Sequence, residues 1–253
     1  MPEVPTVTTG RPSASAYHVA LIRSQLTRPH TPDGDPATED RLLASLAADN
    51  APFEHFLAAR TEFFDTELLD TLRTGVAQVV LLGAGYDGRS FRFKSTGVRF
   101  MEVDLPATQT DKMRRLRDLA ADTGHIEFAA ADLTAQRIPE ILSRTAYDRL
   151  SPAVFVCEGV LLYLPRPAVA SLLADLRREA APGSALLVSF AIGPPPPPKR
   201  TVSGERRQSF YSMTEAIRLL RTCGWSPVRT SRPDRTRTYD TDVALFVRAV
   251  VSA

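Results

Sequence analysis

The stretch VVLLGAGYDGRSFRF, residues 79–93, decides the fold class of this 253-residue chain. It begins with an unbroken apolar run, which is typical of a parallel strand buried on both faces, and continues into a glycine-rich turn. Gly83, Gly85 and Gly88 satisfy the spacing G-x-G-x-x-G, in which glycines let the backbone approach a ligand closely. The stretch therefore predicts a strand, a ligand-binding turn and an open α/β sheet.

Strands and helices alternate on the C-terminal side of this turn. Strand–helix repetition with short connections predicts a mostly parallel, seven-stranded sheet with helices on both faces. The last two strands are expected to form an antiparallel pair at one edge of this sheet. The predicted strands cover residues 78–82, 98–103, 126–130, 153–157, 184–192, 226–230 and 243–251, and the predicted helices cover residues 107–122, 166–181 and 214–222.

An all-helical segment precedes the first predicted strand. Residues 1–12 lack periodicity and are expected to form a loose arm, which three helical segments follow. Asn50 is the predicted N-cap of the third helix. The predicted helices cover residues 13–28, 38–48 and 52–74.

We predict one structural domain made of two parts. The arm and a helical cap cover residues 1–74, and the α/β core covers residues 75–253. Within the core, residues 193–212 form an insert that contains the proline run 194–198. Because consecutive prolines favour the stiff polyproline II conformation, we expect this insert to hold a lid-like segment over the ligand cleft.

The composition excludes several classes of protein. With 43% apolar and 24% charged residues, the chain is neither disordered nor collagen-like. A formal charge of +2 gives no general signal for nucleic acid or an anionic membrane as a partner. Two cysteines, Cys157 and Cys223, exclude a disulfide scaffold and a Cys-based zinc site, and no metal site is predicted. Since neither a signal sequence nor a membrane-spanning run is visible, we expect a soluble, cytoplasmic protein.

Acidic residues follow the second, third and fourth predicted strands. In an open α/β sheet the ligand lies at the carboxyl ends of the strands, where these acids would meet. Asp104 would accept hydrogen bonds from two ribose hydroxyls. Asp132 would accept from an adenine amine, with Leu133 covering the ring, and Glu158 would face an ammonium group. A ribose, an adenine and an amine together describe S-adenosylmethionine.

The same glycine spacing also fits a dinucleotide, so an NAD(P)-dependent oxidoreductase is the alternative. Asp87 lies inside the loop, where its charge would repel a diphosphate. Residues 89–93 are also too few for a long phosphate-facing helix before the next strand. Since a dinucleotide site requires only one of the acids at the strand ends, the pattern favours S-adenosylmethionine.

Four segments of the chain resemble the leucine carboxyl methyltransferase-like family of class I methyltransferases. That family includes the enzyme that esterifies the C-terminal carboxylate of protein phosphatase catalytic subunits, and bacterial enzymes that methylate natural-product acids. The resemblance covers roughly residues 13–250, and it implies a Rossmann-like fold and O-methyl transfer from S-adenosylmethionine. The segments are LLGAGYDGRSFRF (81–93), FMEVDLPATQTDK (100–112), ADL (131–133) and VCEGVLLYLP (156–165).

The resemblance also implies a set of site residues. Arg60, in AARTEFFD, is expected to reach the cofactor carboxylate or the substrate, and Arg23 is expected near the same carboxylate. Tyr163 is expected on the substrate side, so Arg60 and Tyr163 are the expected catalytic residues. Gly88 stands where the family often has threonine, and Glu205 matches a recurring Gly-Glu of the insert. The expected cofactor-binding residues are Arg23, Arg60, Gly83, Ala84, Gly85, Asp87, Asp104, Leu105, Asp132, Leu133 and Glu158.

The methyl acceptor is inferred from the groups available to activate it. A carboxylate is ionised at neutral pH and needs only side chains that hold it, such as Arg60 and Tyr163. A phenol would gain from a base, most often histidine. The sequence favours a small-molecule carboxylate, free or presented by a carrier protein; a hydroxyl acceptor and cofactor binding without methyl transfer stay open. The histidines, none in a recognisable dyad, are His18 and His55 on the cap, and His30 and His125, both expected at the surface.

Overall fold

Seven strands form one twisted sheet in the computed structural model, which describes residues 10–46, 54–194, 207–232 and 243–251. Residues 1–9 of the predicted arm, the N-cap Asn50, Glu205 and most of the proline-rich insert lie outside these ranges. The strands are β1 (Gln78–Leu82), β2 (Arg99–Asp104), β3 (Ile126–Ala130), β4 (Ala153–Cys157), β5 (Ala185–Ile192), β6 (Ser226–Ser231) and β7 (Val243–Val250).

The sheet has the order β3-β2-β1-β4-β5-β7-β6. Strands β1 to β5 run parallel to one another, whereas β7 runs antiparallel to both β5 and β6. The predicted α/β sheet and its antiparallel pair at one edge are therefore confirmed. The order reverses direction beside β1, which places the glycine loop and the end of β4 at the crevice where such sheets bind ligands.

Eight α-helices connect and cover the strands in the described ranges. The first begins at Ala14 and is capped by the Ser13 hydroxyl, which accepts from the amide of Ala16. The helices are α1 (Ala14–Ser24), α2 (Pro36–Ala44), α3 (His55–Arg73), α4 (Arg89–Arg92), α5 (Pro106–Asp118), α6 (Ile138–Leu142), α7 (Arg166–Glu179) and α8 (Met213–Thr222).

Most differences from the predicted helices lie at helix ends. Helix α2 begins at Pro36 because Asp35 accepts from the amide of Thr38 and proline suits the first helical position. Helix α1 ends at Ser24, four residues before the predicted end. Helix α6 and a 3-10 helix over Leu161–Tyr163 were not predicted, since each is too short to show a helical period.

Alternate residues of each central strand divide the core between two faces of the sheet. Val79 and Leu81 pack with α1 to α5 on one face, whereas Val80 and Leu82 pack with α6 to α8 on the other. Trp225 is buried on the α6–α8 face, where its indole donates to the carbonyl of Leu173 over 2.9 Å. In the part of the chain that the structure describes, no helix has both the length and the apolarity needed to cross a membrane.

Candidate active site

The loop after β1 needs glycine at two positions. Gly83 and Gly85 have φ angles of +62° and +51°, a left-handed conformation that L side chains rarely adopt. A β-carbon at position 83 would overlap the side chain of Val160, and one at position 85 would lie 2.8 Å from Cβ of Ala16. The loop is therefore packed tightly between α1 and the segment after β4, with Ala84 buried between the two glycines.

The loop turns into a helix of only four residues, α4. Asp87 closes this turn, because its Oδ1 accepts from the amide of Arg89 over 2.9 Å. The expectation that no long phosphate-facing helix follows the loop is confirmed. Gly88 caps α4, and a β-carbon there would overlap the side chain of Glu39, so the threonine that the resemblance implies at this position would not fit in this packing.

Asp104 lies at the end of β2, directly beside the glycine loop. Its carboxylate accepts hydrogen bonds from the amides of Gly85 and Leu105, the second over 2.6 Å. Burial raises the pKa of Asp104 to about 6, although these two amide hydrogen bonds favour the ionised form. The structure thus fixes an acceptor carboxylate against the loop, where the sequence predicted a ribose contact.

Asp132 follows β3 and is half-buried. Its Oδ1 accepts from the amide of Thr134 over 2.8 Å and from the Thr134 hydroxyl over 2.6 Å. Leu133 packs against the core cluster on the α6–α8 face. The adenine contact predicted for Asp132 and Leu133 stays a prediction, and one oxygen of Asp132 already shapes its own turn.

Glu158 follows β4 and lies among three guanidinium groups. Its Oε1 accepts from Nε of Arg60 over 2.8 Å, and its Oε2 accepts from Arg23 over 2.8 Å and from Arg89 over 2.6 Å. Burial alone would raise the pKa of Glu158, but the charges of Arg23, Arg89 and Arg60 outweigh it and hold the pKa well below its usual range. The carboxylate predicted to face an ammonium group is thus ionised, and both of its oxygens have partners.

Asp87 belongs to the same cluster of charges. Its Oδ2 lies 3.1 Å from Nη1 of Arg23 and 2.7 Å from Nη1 of Arg89. Burial opposes ionisation of Asp87, yet the two arginines lower its pKa strongly. The structure therefore brings together Arg23, Arg60, Asp87 and Glu158, as expected, and adds Arg89, which sequence reasoning missed.

Arg60 connects this cluster to the expected substrate side. Gly159 has a φ of +69°, and a β-carbon there would lie 3.0 Å from Nη1 of Arg60, so glycine makes room for the guanidinium. Burial lowers the pKa of Arg60, while Glu158 and, more weakly, Tyr163 raise it. Tyr163 lies half-buried on the 3-10 helix, and its carbonyl accepts from the side-chain amide of Gln208.

A second group of buried charges is joined to this cluster through Arg89. Nε of Arg89 donates to Oδ1 of Asp65 over 2.6 Å, and Nε of Arg28 donates to Oδ2 of Asp65 over 2.8 Å. Glu39 in turn pairs with Arg28 and Arg92. The motif RTEFFD, residues 60–65, was the one sequence signal that included a residue of this group, since it has Asp65 five positions after Arg60.

The remaining candidates lie elsewhere. His18 pairs with Glu54, and His30 is exposed, as expected. The prediction that His125 lies at the surface was wrong: it is half-buried, with edge contacts to Phe91 and Phe100, because its Nε2 bonds to the carbonyl of Ser90 over 2.7 Å. His55 is exposed at the start of α3. Cys157 is buried, and burial raises the pKa of its thiol to about 12.

The residues of this site fit the methionine end of S-adenosylmethionine, which carries both an ammonium and a carboxylate. The ionised acids Asp87 and Glu158 suit the ammonium group. Within the described residues, Nε of Arg23 and Nη2 of Arg89 are buried without a hydrogen-bond partner. Unpaired buried donors are costly, and a ligand carboxylate is the group that would satisfy them.

Sequence comparison identifies the family. Residues 14–177 match the leucine carboxyl methyltransferase profile, which is more than half of the chain. The chain belongs to the leucine carboxyl methyltransferase family. This membership agrees with the resemblance of the glycine loop, the Asp104 segment and the Glu158 segment.

Two of the relatives that the chain resembles come from actinobacteria. A Parafrankia protein is 40% identical over 142 residues, which is 54% of this chain and 45% of the relative. A Streptomyces avermitilis protein is 36% identical over 157 residues, 62% of this chain and 52% of the relative. Both are named "Putative S-adenosyl-L-methionine-dependent methyltransferase". The chain spans about half the length of these relatives.

Solved structures share the fold at low sequence identity. A methyltransferase-like protein from Thermobifida fusca superposes with a TM-score of 0.59 and 18% identity, covering 98% of both chains. The magnesium protoporphyrin IX methyltransferase of Synechocystis PCC 6803, with bound S-adenosylhomocysteine, has a TM-score of 0.56 and 18% identity over 84% of this chain and 93% of its own. At these identities the likeness establishes the Rossmann-like methyltransferase fold alone.

Proposed function

We propose that this chain is an S-adenosylmethionine-dependent O-methyltransferase that converts a small-molecule carboxylate, such as a natural-product acid, into its methyl ester. The observation that carries the proposal is the cluster of Arg23, Arg60, Asp87, Arg89 and Glu158 at the ends of β1 and β4. It offers buried charges of both signs for a zwitterion, beside a glycine loop. Family membership and the names of the relatives support the same cofactor.

Each part of the cofactor is held by residues at the end of a different strand. Asp104 holds the ribose hydroxyls, Asp132 and Leu133 hold the adenine, and the cluster around Glu158 holds the amino-acid end. When bound, S-adenosylmethionine supplies a methyl group on a sulfonium, which a nucleophilic oxygen can displace in line. The protein contributes position: Gly83 and Gly85 let the loop pack closely against Val160 and Ala16, so that α1 covers the loop.

A carboxylate acceptor agrees with the charges on the substrate side. A carboxylic acid is ionised at neutral pH and requires no general base, whereas a phenol with a pKa near 10 would benefit from one. Arg60 and the Tyr163 hydroxyl can orient a carboxylate through charge-assisted hydrogen bonds. His125 is engaged with the Ser90 carbonyl, which supports an acceptor that needs no base from this residue.

Calorimetric titration tests the cofactor. The purified protein is titrated with S-adenosylhomocysteine and, separately, with NADH and NADPH. We expect micromolar binding of S-adenosylhomocysteine and no heat from either nicotinamide cofactor. Binding of a nicotinamide cofactor instead would show that the acids at the strand ends were assigned to the wrong ligand.

The chemistry of the product tests the acceptor. The enzyme is incubated with labelled S-adenosylmethionine and a panel of carboxylic acids, phenols and amines, each free and, where available, carrier-bound. A methyl ester releases labelled methanol in mild alkali, whereas a methyl ether or an N-methyl group stays attached. Transfer in an alkali-stable form only would refute the carboxylate assignment and leave methyl transfer intact.

A further inference from the structure

The acids of the candidate site are held by an arginine that is itself held from behind. Arg89 is completely buried and contacts three carboxylates. Its Nη1 lies 2.7 Å from Oδ2 of Asp87 and 2.6 Å from Oε2 of Glu158, while its Nε lies 2.6 Å from Oδ1 of Asp65. One planar guanidinium thus fixes the relative positions of two acids in the loop region against α3.

Asp65 is joined to the network by ion pairs with Arg28 and Arg89. It lies on α3 with 1% of its surface exposed, and both of its oxygens accept from arginines. Arg28 donates to Oδ2 from Nε over 2.8 Å and to Oδ1 from Nη2 over 3.1 Å, which fixes the plane of the Asp65 carboxylate. Since Oδ1 also accepts from Nε of Arg89, the plane of Asp65 sets the plane of the Arg89 guanidinium.

Stability alone does not account for this arrangement. Removing two charges from water costs several kcal/mol per ion, and apolar residues of similar volume are often equally or more stabilising. The same face of the sheet shows that apolar packing was available here, because Phe64, the neighbour of Asp65 on α3, is fully buried in the core and lies under the Arg89 guanidinium. Charged partners can hold a guanidinium in a fixed orientation, whereas apolar residues cannot.

We propose that Asp65 is a positioning residue for the amino-acid end of the cofactor, acting through Arg89 to set the geometry of Asp87 and Glu158. The proposal rests on the proposed function. Asp65 itself takes no part in the chemistry. Only the amino-acid end of the ligand should depend on this residue. The nucleoside part, which Asp104 and Asp132 are proposed to hold, should be indifferent to Asp65.

Two ligands separate this role from general support of the fold. S-adenosylhomocysteine carries the amino-acid end, whereas 5′-methylthioadenosine carries the same nucleoside without it. We expect Asp65→Asn to weaken S-adenosylhomocysteine binding about tenfold or more, since a charge-assisted hydrogen bond behind the site is lost. The affinity for 5′-methylthioadenosine should stay within about twofold of wild type. Both affinities are measured by calorimetry on the full chain.

Asp175→Asn is the matched control. Asp175 is also 1% exposed and also pairs with two arginines, Arg137 and Arg178, but it lies on α7 against the opposite face of the sheet. It should leave both affinities unchanged. If Asp65→Asn does not fold, Asp65→Glu keeps the charge and moves it by one methylene, and the same selective loss is expected.

The outcomes distinguish the two proposals. Equal weakening of both ligands, or no weakening of either, overturns the positioning role and leaves the proposed function standing. A wild-type protein that binds neither ligand overturns the proposed function and the positioning role with it. Selective loss of S-adenosylhomocysteine affinity in the Asp65 variant, and not in the Asp175 variant, supports the proposal.

Discussion

The two faces of the sheet bury very different side chains. The face covered by α6, α7 and α8 has an apolar core, and among the described residues its buried charge is Asp175, whose two arginine partners are half or more exposed. The face covered by α1 to α5 buries nine charged side chains in one network. They are Arg23, Arg28, Glu39, Arg60, Asp65, Asp87, Arg89, Arg92 and Glu158.

This difference separates the face that holds the candidate site from the face that does not. Buried ion pairs are a poor route to stability, because desolvation offsets most of the attraction between the charges. The α6–α8 face shows that this sequence can build an ordinary apolar core. The network lies where the loop after β1 meets the end of β4, so charge is buried at the end of the sheet that holds the candidate site.

The largest expected effect is the loss of the arginine at the centre of the network. Arg89→Met leaves Asp65, Asp87 and Glu158 buried with fewer positive partners, which should cost about 3–5 kcal/mol of unfolding free energy. Arg178→Met is the same change on the other face, where the side chain is 63% exposed, and it should cost about 1 kcal/mol or less. Denaturant unfolding measures both. Similar values for the two variants would remove the contrast between the faces.

A deletion in the apolar face should affect stability and leave binding unchanged. Leu173 on α7 is completely buried, and Leu173→Ala should cost about 3 kcal/mol through lost burial and the cavity left behind. The folded fraction should bind S-adenosylhomocysteine with wild-type affinity, measured at a temperature well below unfolding. A weakened affinity in fully folded protein would show that this face also shapes the site.

A third variant tests the ribose assignment. Asp104→Asn removes the negative charge that is proposed to accept both ribose hydroxyls, and it should weaken S-adenosylhomocysteine binding by about 2–4 kcal/mol. Asp118→Asn is a control on the exposed side of α5, where the carboxylate is 66% exposed, and should change nothing. Near-native affinity in the Asp104 variant would place the ribose elsewhere.

Local patterns in the sequence predicted the parts of the site that a single segment creates. The glycine loop and the acids after β2, β3 and β4 follow from the rule that ligands bind at the carboxyl ends of parallel strands. The network could not be predicted in this way, because its pairs join distant segments, such as Arg23 with Glu158, 135 positions apart. Asp65 becomes a partner of Arg89 because of the way α3 packs against the sheet. The hydrophobic periodicity of the sequence does not predict that packing.

The smallest expected effect is a pH dependence that originates in one carboxyl group. Burial raises the pKa of Asp104 to about 6 in the ligand-free protein, and a protonated carboxyl cannot accept two hydroxyl donors as a carboxylate does. The ligand should therefore prefer the ionised form. The dissociation constant of S-adenosylhomocysteine should be constant above about pH 7 and rise as the pH falls through 6, approaching tenfold per pH unit below it.

The Asp104→Asn variant isolates the group responsible. Glu158 and Asp87 have depressed pKa values and stay ionised across this range, so they should add no inflection near pH 6. The variant should bind weakly at every pH and show a flat profile between pH 5 and pH 8. An inflection near pH 6 that persists in the variant would assign the titration to another group, because no ionisable side chain then remains at position 104.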